Sequence, residues 1–284
     1  MALVQTVRRR QLGAELRKLR THAGLSVDEA GDQVEGWSGT KISRAENAKV
    51  AVKEKDVIAL LNLYNADKTL TDALLDLVRN AGKRGWWQSY TGSVNGETVD
   101  LAALESEASS VTTFEWAVVP GLLQTADYAR SVVERLNTRP DVNIQALVEV
   151  RMARQAVLSR PSPLKVWAVI HEAAIYSNIG GPAVMATQLD RLIDRAKLPN
   201  VNVQIMPTHA PAHPGMSGAF SILGFPQRQD LDLVLVDTAL SSQWYEEPDE
   251  VELFQGKFQQ ITAEAMGVED SLTFITEQRD RLTK

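Results

Sequence analysis

The chain of 284 residues is 44% hydrophobic and 23% charged, which is the composition of a folded globular protein rather than a disordered one. It contains no cysteine, and this excludes disulfides, thiolate metal sites and cysteine nucleophiles. No segment approaches the roughly 20 apolar residues of a membrane span, and the N-terminus lacks a signal-peptide pattern, so we expect a cytoplasmic protein.

The net charge of −6 is unevenly divided along the chain. Residues 1–90 hold 15 basic and 11 acidic residues, a balance of +4, whereas residues 91–284 carry −10. The length favours two domains. A mildly basic first segment is typical of a small module that binds DNA.

Five short helices are predicted within the first 82 residues. Leu12 and Leu16 lie at helical spacing in the first helix, and Ser26 opens a capping box at the start of the second. Ser38 is a further N-cap and begins a third helix of about two turns. Short connections between these helices predict a compact all-α domain over residues 1–82. The predicted helices are 8–23, 27 to about 35, 39–46, 53–64 and 70–81.

Residues 83–100 are predicted to form a linker, because glycine, serine and asparagine are frequent there. The same stretch contains Trp86, Trp87 and Tyr90. Three aromatic side chains are too costly to leave in water. We therefore expect this linker to pack against one domain or both.

Residues 101–284 are predicted to form a larger α+β domain. Amphipathic helical segments alternate there with short apolar runs that indicate strands. Helices are predicted at residues 101–110, 125–136, 142–159, 182–197, 248–266 and 269–282, and strands at residues 114–119, 164–170, 201–207, 219–225 and 231–237.

Residues 25–49 have the pattern of a helix-turn-helix, in which two short helices flank a tight turn and the second helix is exposed on its outer face. Ile42 is the single apolar anchor of the second helix, residues 38–46, so this helix cannot be a core helix. Its polar side chains can contact base edges in the major groove. The alternative is a solvated surface helix of an ordinary bundle. The candidate base contacts are Thr40, Lys41, Ser43 and Arg44, and the candidate phosphate contacts are Arg8, Arg9, Arg10 and Lys49.

The motif Lys41-Ile42-Ser43-Arg44, preceded by Gly36-Trp37-Ser38 and followed by Glu46, resembles the recognition helix of XRE-type (lambda-repressor-like) regulators. Further motifs resemble one group of these, the actinobacterial WhiJ-type regulators, which carry a large C-terminal domain. The resemblance covers nearly the whole chain, and the run Val-Pro-Gly-Leu-Leu-Gln-Thr is its most specific part. The motifs lie at residues 85–88, 104–109, 119–125, 127–130, 151 and 154–155.

The resemblance implies DNA contacts from Ser38, Thr40, Lys41, Ser43 and Arg44. It also implies a small cognate partner protein, with which such regulators form antitoxin-like pairs, and it makes the C-terminal domain the sensor of that partner or of a ligand. The chain departs from the family pattern in three places. The turn at residues 35–36 is one residue longer, Ala45 replaces a larger aliphatic residue, and Asn-Ala-Lys at residues 47–49 replaces a Thr-Gly-Arg-like ending.

An enzymatic function finds little support in the sequence, which has no P-loop, no Gly-x-Ser-x-Gly elbow and no His-Glu-x-x-His motif. His171 with Glu172 could be an acid–base pair or simply structural, and Pro211 prevents a helical metal pair between His209 and His213. We expect no catalytic residue, cofactor or metal.

Two arginines three positions apart on a helix, Arg151 and Arg154, could bind a carboxylate or phosphate, or could form salt bridges with neighbouring acids. Together with Trp86 and Trp87 they are the candidate contacts for a ligand or partner. The expected function is that of a transcriptional regulator that binds double-stranded DNA as a homodimer, because one helix-turn-helix reads only a half-site. The alternative is an antitoxin-like interaction module whose main role is to bind a small cognate partner.

Overall fold

The computed structural model describes residues 7–81, 85–136, 142–225, 232–237 and 242–283, without the side chains of residues 7, 8, 10, 80 and 81. The chain divides into two compact units, Met1–Gly85 and Trp86–Lys284. The first is helical, and the second combines helices with a mixed six-stranded sheet. The predicted fold class, an all-α helix-turn-helix domain followed by an α+β domain, is therefore confirmed. No helix in the described ranges has the length and apolarity needed to cross a membrane.

The first unit contains the five predicted helices. Ser26 accepts a hydrogen bond from the backbone N–H of Glu29, and the Glu29 carboxylate accepts one from the N–H of Ser26, so the predicted capping box is present. Buried leucines and Ile42 form the core of this unit. The helices are α1 (Val7–His22), α2 (Val27–Asp32), α3 (Gly39–Glu46), α4 (Glu54–Leu63) and α5 (Lys68–Ala81).

Helices α2 and α3 approach each other so closely that only glycine fits at one position. A Cβ atom on Gly31 would lie 2.8 Å from the Cα of Ser38, and closer still to the carbonyl carbon of Ser38 and the backbone nitrogen of Gly39. These neighbours are backbone atoms and cannot rotate away. Gly31 therefore fixes the distance between the two helices of the helix-turn-helix.

The sheet of the second unit has the strand order β3-β2-β1-β4-β5-β6. The first three strands are parallel, and the last three are joined to them and to each other in antiparallel fashion. The strands are β1 (Ser110–Glu115), β2 (Lys165–His171), β3 (Val201–Met206), β4 (Phe220–Gly224), β5 (Leu233–Asp237) and β6 (Ser242–Tyr245), and the helices are α6 (Gly96–Glu107), α7 (Ala126–Leu136), α8 (Ile144–Arg154), α9 (Glu172–Tyr176), α10 (Pro182–Ala196), α11 (Pro248–Glu264) and α12 (Val268–Leu282).

The first strand lies four residues earlier than the sequence pattern predicts, at Ser110–Glu115 instead of 114–119. The apolar residues that follow Glu115 are not paired in the sheet, because the N–H of the buried Val119 donates to the hydroxyl of Tyr128. Helix α6 begins at Gly96 rather than at residue 101, since the Asn95 side chain accepts a hydrogen bond from the N–H of Thr98 and caps it. The short strand β6 and helix α9 were not predicted.

The two faces of the sheet have different environments. Phe114, Phe220 and Ile222 face helix α11 and pack with Phe258 and Ile261 in a dry aromatic and aliphatic core. Strand residues alternate between faces, so their neighbours in sequence point to the opposite side. That second face carries Thr113 and Glu115 on β1.

The close approach at Gly31 yields a first prediction. Gly31→Ala forces the backbones of α2 and α3 apart and should lower the free energy of unfolding by about 1–3 kcal/mol. Gly256→Ala is the matched control in helix α11, where a Cβ meets nothing within 4 Å; it should leave stability unchanged or raise it by up to about 1 kcal/mol. Denaturant unfolding of both variants is the measurement, and equal stabilities would contradict the tight contact.

Candidate nucleic-acid interface

Helix α3 has one buried face and one exposed face. Ser38 is its N-cap and accepts a hydrogen bond from the N–H of Lys41 at 3.3 Å. Ile42 and Ala45 are buried against the unit, whereas Thr40 and Arg44 are exposed on the outer face. Among the described residues, the Arg44 side chain makes no hydrogen bond or ion pair. The outer face is therefore available for contacts outside the chain.

A buried ion pair holds the C-terminal end of α3 against α1. Arg20 Nε donates to Glu46 Oε1 at 2.6 Å, and Arg20 Nη2 donates to Glu46 Oε2 at 3.0 Å. The exposed fractions of the two side chains are 12% and 3%, so the pair lies almost entirely out of water. The hydrogen bond that Arg20 donates to Glu46 raises the pKa of Arg20. Burial, together with the Glu46 carboxylate, raises the pKa of the neighbouring Tyr64 hydroxyl to about 12.

Two further contacts fix the same end of the helix. A Cβ on Gly13 would lie 2.8 Å from the carbonyl oxygen of Ala45, so the backbones of α1 and α3 touch there. Arg17 Nη2 donates to the Asn47 side chain at 2.8 Å. Neither Arg17 nor Arg20 is among the site residues predicted from the sequence. The sequence feature that indicates a buried ion pair is Glu46, because this carboxylate lies one turn from the buried Ile42 in an otherwise basic helix.

The turn before α3 is held by a side chain of the helix itself. Lys41 Nζ donates to the carbonyl of Gly36 at 3.2 Å and lies 4.2 Å from the ring centroid of Trp37, within cation–π range. Gly36 has a positive φ of 75°. These contacts stabilise the turn that is one residue longer than the family pattern. They also occupy Lys41, one of the predicted base contacts, in the absence of DNA.

The other residues predicted to contact DNA differ in how far their side chains are exposed to solvent. Ser38 and Lys49 are exposed, and Ser43 is half-buried, with its hydroxyl 3.5 Å from Asn47 Nδ2. Arg9 is half-buried on α1. The side chains of Arg8 and Arg10 lie outside the described part of the structure, so their predicted phosphate contacts remain predictions.

The unusual ending of α3 has a backbone explanation. Ala48 adopts a φ of 55°, the left-handed conformation that ends many helices and that favours glycine. The N–H of Lys49 donates back to the carbonyl of Arg44, which closes the end of the helix. The Ala48 methyl group is buried, with an exposed fraction of 1%, so packing offsets the strain at this position.

In the second unit, the predicted ligand or partner residues do not form one site. Arg154 makes a bidentate ion pair with Glu105, at 2.7 and 2.6 Å, and both side chains are buried. For Arg154 the structure therefore agrees with the second possibility given by the sequence, a salt bridge with an acidic residue. Arg151 instead donates to Gln124 at 2.8 Å. Trp86 and Trp87 lie in a 3-10 helix and pack edge to face, with ring centroids 5.9 Å apart.

The segment 119–125 is held in place by buried glutamines. Gln124 Nε2 donates to the carbonyl of Val119 at 2.7 Å, and Gln155 Nε2 donates to the carbonyl of Gln124 at 2.6 Å. Gln188 accepts from the N–H of Thr125 and donates to the carbonyl of Leu123. Gln124 and Gln155, which carry part of the family resemblance, and Gln188, which does not, therefore satisfy the backbone of a buried loop.

Two of the histidines considered as candidates for catalysis or metal binding make capping and packing contacts. His171 Nδ1 accepts a hydrogen bond from the N–H of Ala173 and caps helix α9. His213 is buried, packs edge to face on Phe114, and has a pKa lowered by burial. Within the described ranges, no group of three or more histidine and acidic side chains is placed to hold a metal ion.

Comparison with known families identifies both parts of the chain. Residues 11–74 match a helix-turn-helix domain. Residues 98–277 match a domain of unknown function, DUF5753. No curated protein and no solved structure matches the chain. The first match includes α3 and its supporting helices, so the N-terminal unit is a helix-turn-helix domain.

The Arg20–Glu46 pair yields a second prediction. Arg20→Ala removes both hydrogen bonds to the buried Glu46 carboxylate and leaves it only the 3.7 Å contact with the half-exposed Arg17. It should destabilise the first unit by about 3 kcal/mol, the lower end of the cost of breaking a buried pair. Arg79→Ala is the control, because its ion pair with Glu54 is half exposed on both sides, and it should cost less than about 1 kcal/mol.

A double variant, Arg20→Met with Glu46→Leu, removes both charges and should recover most of the stability lost in Arg20→Ala. Thermal unfolding of the four proteins measures this. If Arg20→Ala were no more harmful than Arg79→Ala, the pair would not anchor α3.

Proposed function

The chain belongs to the DUF5753 domain family, and because its first unit is a helix-turn-helix domain, we propose that it is a sequence-specific transcriptional regulator of the XRE type. In this proposal α3 lies in the major groove of double-stranded DNA as the recognition helix. A chromosomal target also places the protein in the cytoplasm.

One observation carries the proposal: α3 is rigidly held on its inner face and carries an unengaged arginine on its outer face. The ion pair of Glu46 and the burial of Ile42 fix the orientation of the helix. Arg44 is exposed, and its guanidinium suits the O6 and N7 acceptors of guanine. Thr40 is exposed one turn earlier, where it can contact a base or a phosphate.

We propose that the protein acts as a homodimer, since one helix-turn-helix reads a half-site and paired half-sites lie about 34 Å apart or at multiples of that spacing. The second unit then has a regulatory role, in which it responds to a small molecule or to a small cognate protein. A WhiJ-like, antitoxin-like pairing is the form that the sequence resemblance suggests. No catalytic step is part of this proposal.

The role of Arg44 is tested by titrating the pure protein against the DNA upstream of its own gene, with unrelated DNA as the reference. Arg44→Ala should weaken binding to the specific fragment by about 1–3 kcal/mol and reduce the preference over unrelated DNA. Lys68→Ala removes the same charge from an exposed site on α5, outside the helix-turn-helix, and should leave the preference intact. Equal losses in the two variants would remove α3 from the recognition role.

Lys49 is expected to contact a phosphate rather than a base, because it is exposed at the end of α3. Lys49→Ala should weaken binding to specific and unrelated DNA alike, and should reduce the slope of log affinity against log salt by about 1. Titrations at several salt concentrations measure the slope. An unchanged slope with altered sequence preference would make Lys49 a base contact instead.

A further inference from the structure

The second unit contains a cavity of about 1090 Å³ whose lining residues all belong to that unit. It lies on the sheet face opposite α11, over strands β1, β4, β5 and β6, and is bounded by α6, α8 and the segment that follows β1. A cavity of this size is at the upper end of those that bind small molecules. Its volume and mixed lining make it a candidate ligand site.

The charged groups of the cavity are predominantly acidic. Of its two arginines, Arg154 is neutralised by its ion pair with Glu105. Arg151 then remains as the only other base in the lining, against the carboxylates of Glu115, Asp237 and Glu97. The cavity therefore has an excess of negative charge that nothing in the described structure balances.

Glu115 occupies a central position among these groups. It ends β1, between β2 and β4 in the sheet, and reaches solvent only in part. Its carboxyl group makes no hydrogen bond within the described residues. Burial, with the nearby Asp237 carboxylate, raises the pKa of Glu115 to about 8, and Arg151 opposes this shift only in part. The site favours an added positive charge, which a proton on Glu115 supplies at neutral pH.

An anion is less well matched to the cavity than a cation. The Arg151 guanidinium already donates a hydrogen bond to Gln124. Its pKa is lowered to about 10, mainly by burial and secondly by the positive charge of the nearby Arg154. An anionic ligand would therefore meet one arginine against the carboxylates of Glu97 and Asp237, with Glu115 as a third once it is ionised. A cation would be attracted by those carboxylates, and Arg151 is the one base of the lining outside an ion pair that opposes it.

The remaining lining is apolar and includes two tryptophans. Trp116 and Trp244 line the cavity from the loop after β1 and from β6, beside Leu101, Leu147 and Leu235. Tryptophan faces attract organic cations, and aliphatic side chains bury an apolar body. We propose that the cavity binds a lipophilic organic cation, whose charge lies beside Glu115 and Asp237 and whose apolar body packs against the tryptophans. Its regulatory meaning rests on the proposed function of the chain.

The test compares two probes of equal size and opposite charge, tetraphenylphosphonium and tetraphenylborate, by calorimetric titration of the full chain. Tetraphenylphosphonium should bind at least about tenfold more tightly, a difference of about 1.4 kcal/mol. Equal affinities, or tighter binding of the borate, would overturn the proposal. Absence of binding by both probes at millimolar concentration would overturn the cavity as a ligand site.

Variants locate the site. At pH 9, where Glu115 is mostly ionised, Glu115→Gln and Asp237→Asn should each weaken phosphonium binding by about tenfold, with circular dichroism to confirm folding. Glu252→Gln removes a carboxylate of equal charge from the exposed surface of α11, on the other face of the sheet, and should have no effect. Equal affinities in all three variants would place the binding elsewhere and overturn the proposal.

A pH series gives a readout that a structural role would not produce, because tetraphenylphosphonium does not titrate. The groups that face Glu115 are Asp237 from β5, Arg151 and Arg154 from α8, Glu97 and Glu105 from α6, and Tyr128 from α7. Glu115 loses its proton as the pH rises through about 8, so phosphonium affinity should increase between pH 6 and 9. The increase should be absent in Glu115→Gln; a persistent increase there would exclude Glu115 as the charge partner.

The same preparations separate this proposal from the proposed function. Phosphonium binding is measured without DNA, and DNA binding is measured without phosphonium. A chain that binds the cation but no DNA would refute the regulator and leave the cavity site standing. A chain that binds its operator but not the cation would refute the cavity site and leave the regulator standing.

Discussion

The buried ion pair between Arg20 and Glu46 is the interaction on which the DNA-binding unit depends. A recognition helix has conflicting requirements, since it must be fixed in orientation while most of its surface stays exposed. Helix α3 has eight residues and one large apolar side chain, Ile42. Hydrophobic burial of one such side chain contributes only about 1.5–3 kcal/mol. The bidentate pair and the backbone contact at Gly13 supply the orientation that apolar packing on so short a helix cannot.

The second unit solves a different problem, which is how to bury an irregular loop. After β1 the chain is exposed for two residues and then enters the interior at residues 119–125, so the N–H and C=O groups of that loop need partners there. Gln124, Gln155 and Gln188 supply these partners. Each amide can donate and accept at once, and none adds a charge. The charge of the adjoining cavity is therefore determined by its carboxylates and by Arg151 alone.

Sequence patterns predicted the parts of this protein that depend on neighbouring residues. The caps at Ser26 and Ser38, the exposed face of α3 and most element positions follow from local spacing. The pairs Arg20–Glu46 and Arg154–Glu105 join residues 26 and 49 positions apart, so local spacing does not identify which residues pair. The displacement of β1 has the same origin. The apolar character of Val119 predicts a strand residue, but its N–H donates to the Tyr128 hydroxyl instead of to a neighbouring strand.

The cavity was beyond sequence reasoning for a related reason. Glu115 and Asp237 lie at the ends of β1 and β5, and only the sheet order, with β4 between them, brings their strands close together. Arg151 had been considered as an anion-binding residue, and its surroundings reverse the sign of the charge that the site favours. The sequence identifies Arg151 as a candidate binding residue, but the charges around Arg151 in the folded protein determine which ligands the site can bind.

The cavity and the buried loop are also physically connected, through one side chain. Gln124 accepts from Arg151 on its oxygen and donates to Val119 from its nitrogen, so the position of its amide is set by both. A ligand that draws the Arg151 guanidinium toward or away from Glu115 must alter the first of these bonds. The backbone carbonyl of Gln124 accepts in turn from Gln155. The cavity and the loop at residues 119–125 are thus joined by one continuous set of hydrogen bonds that passes through Gln124.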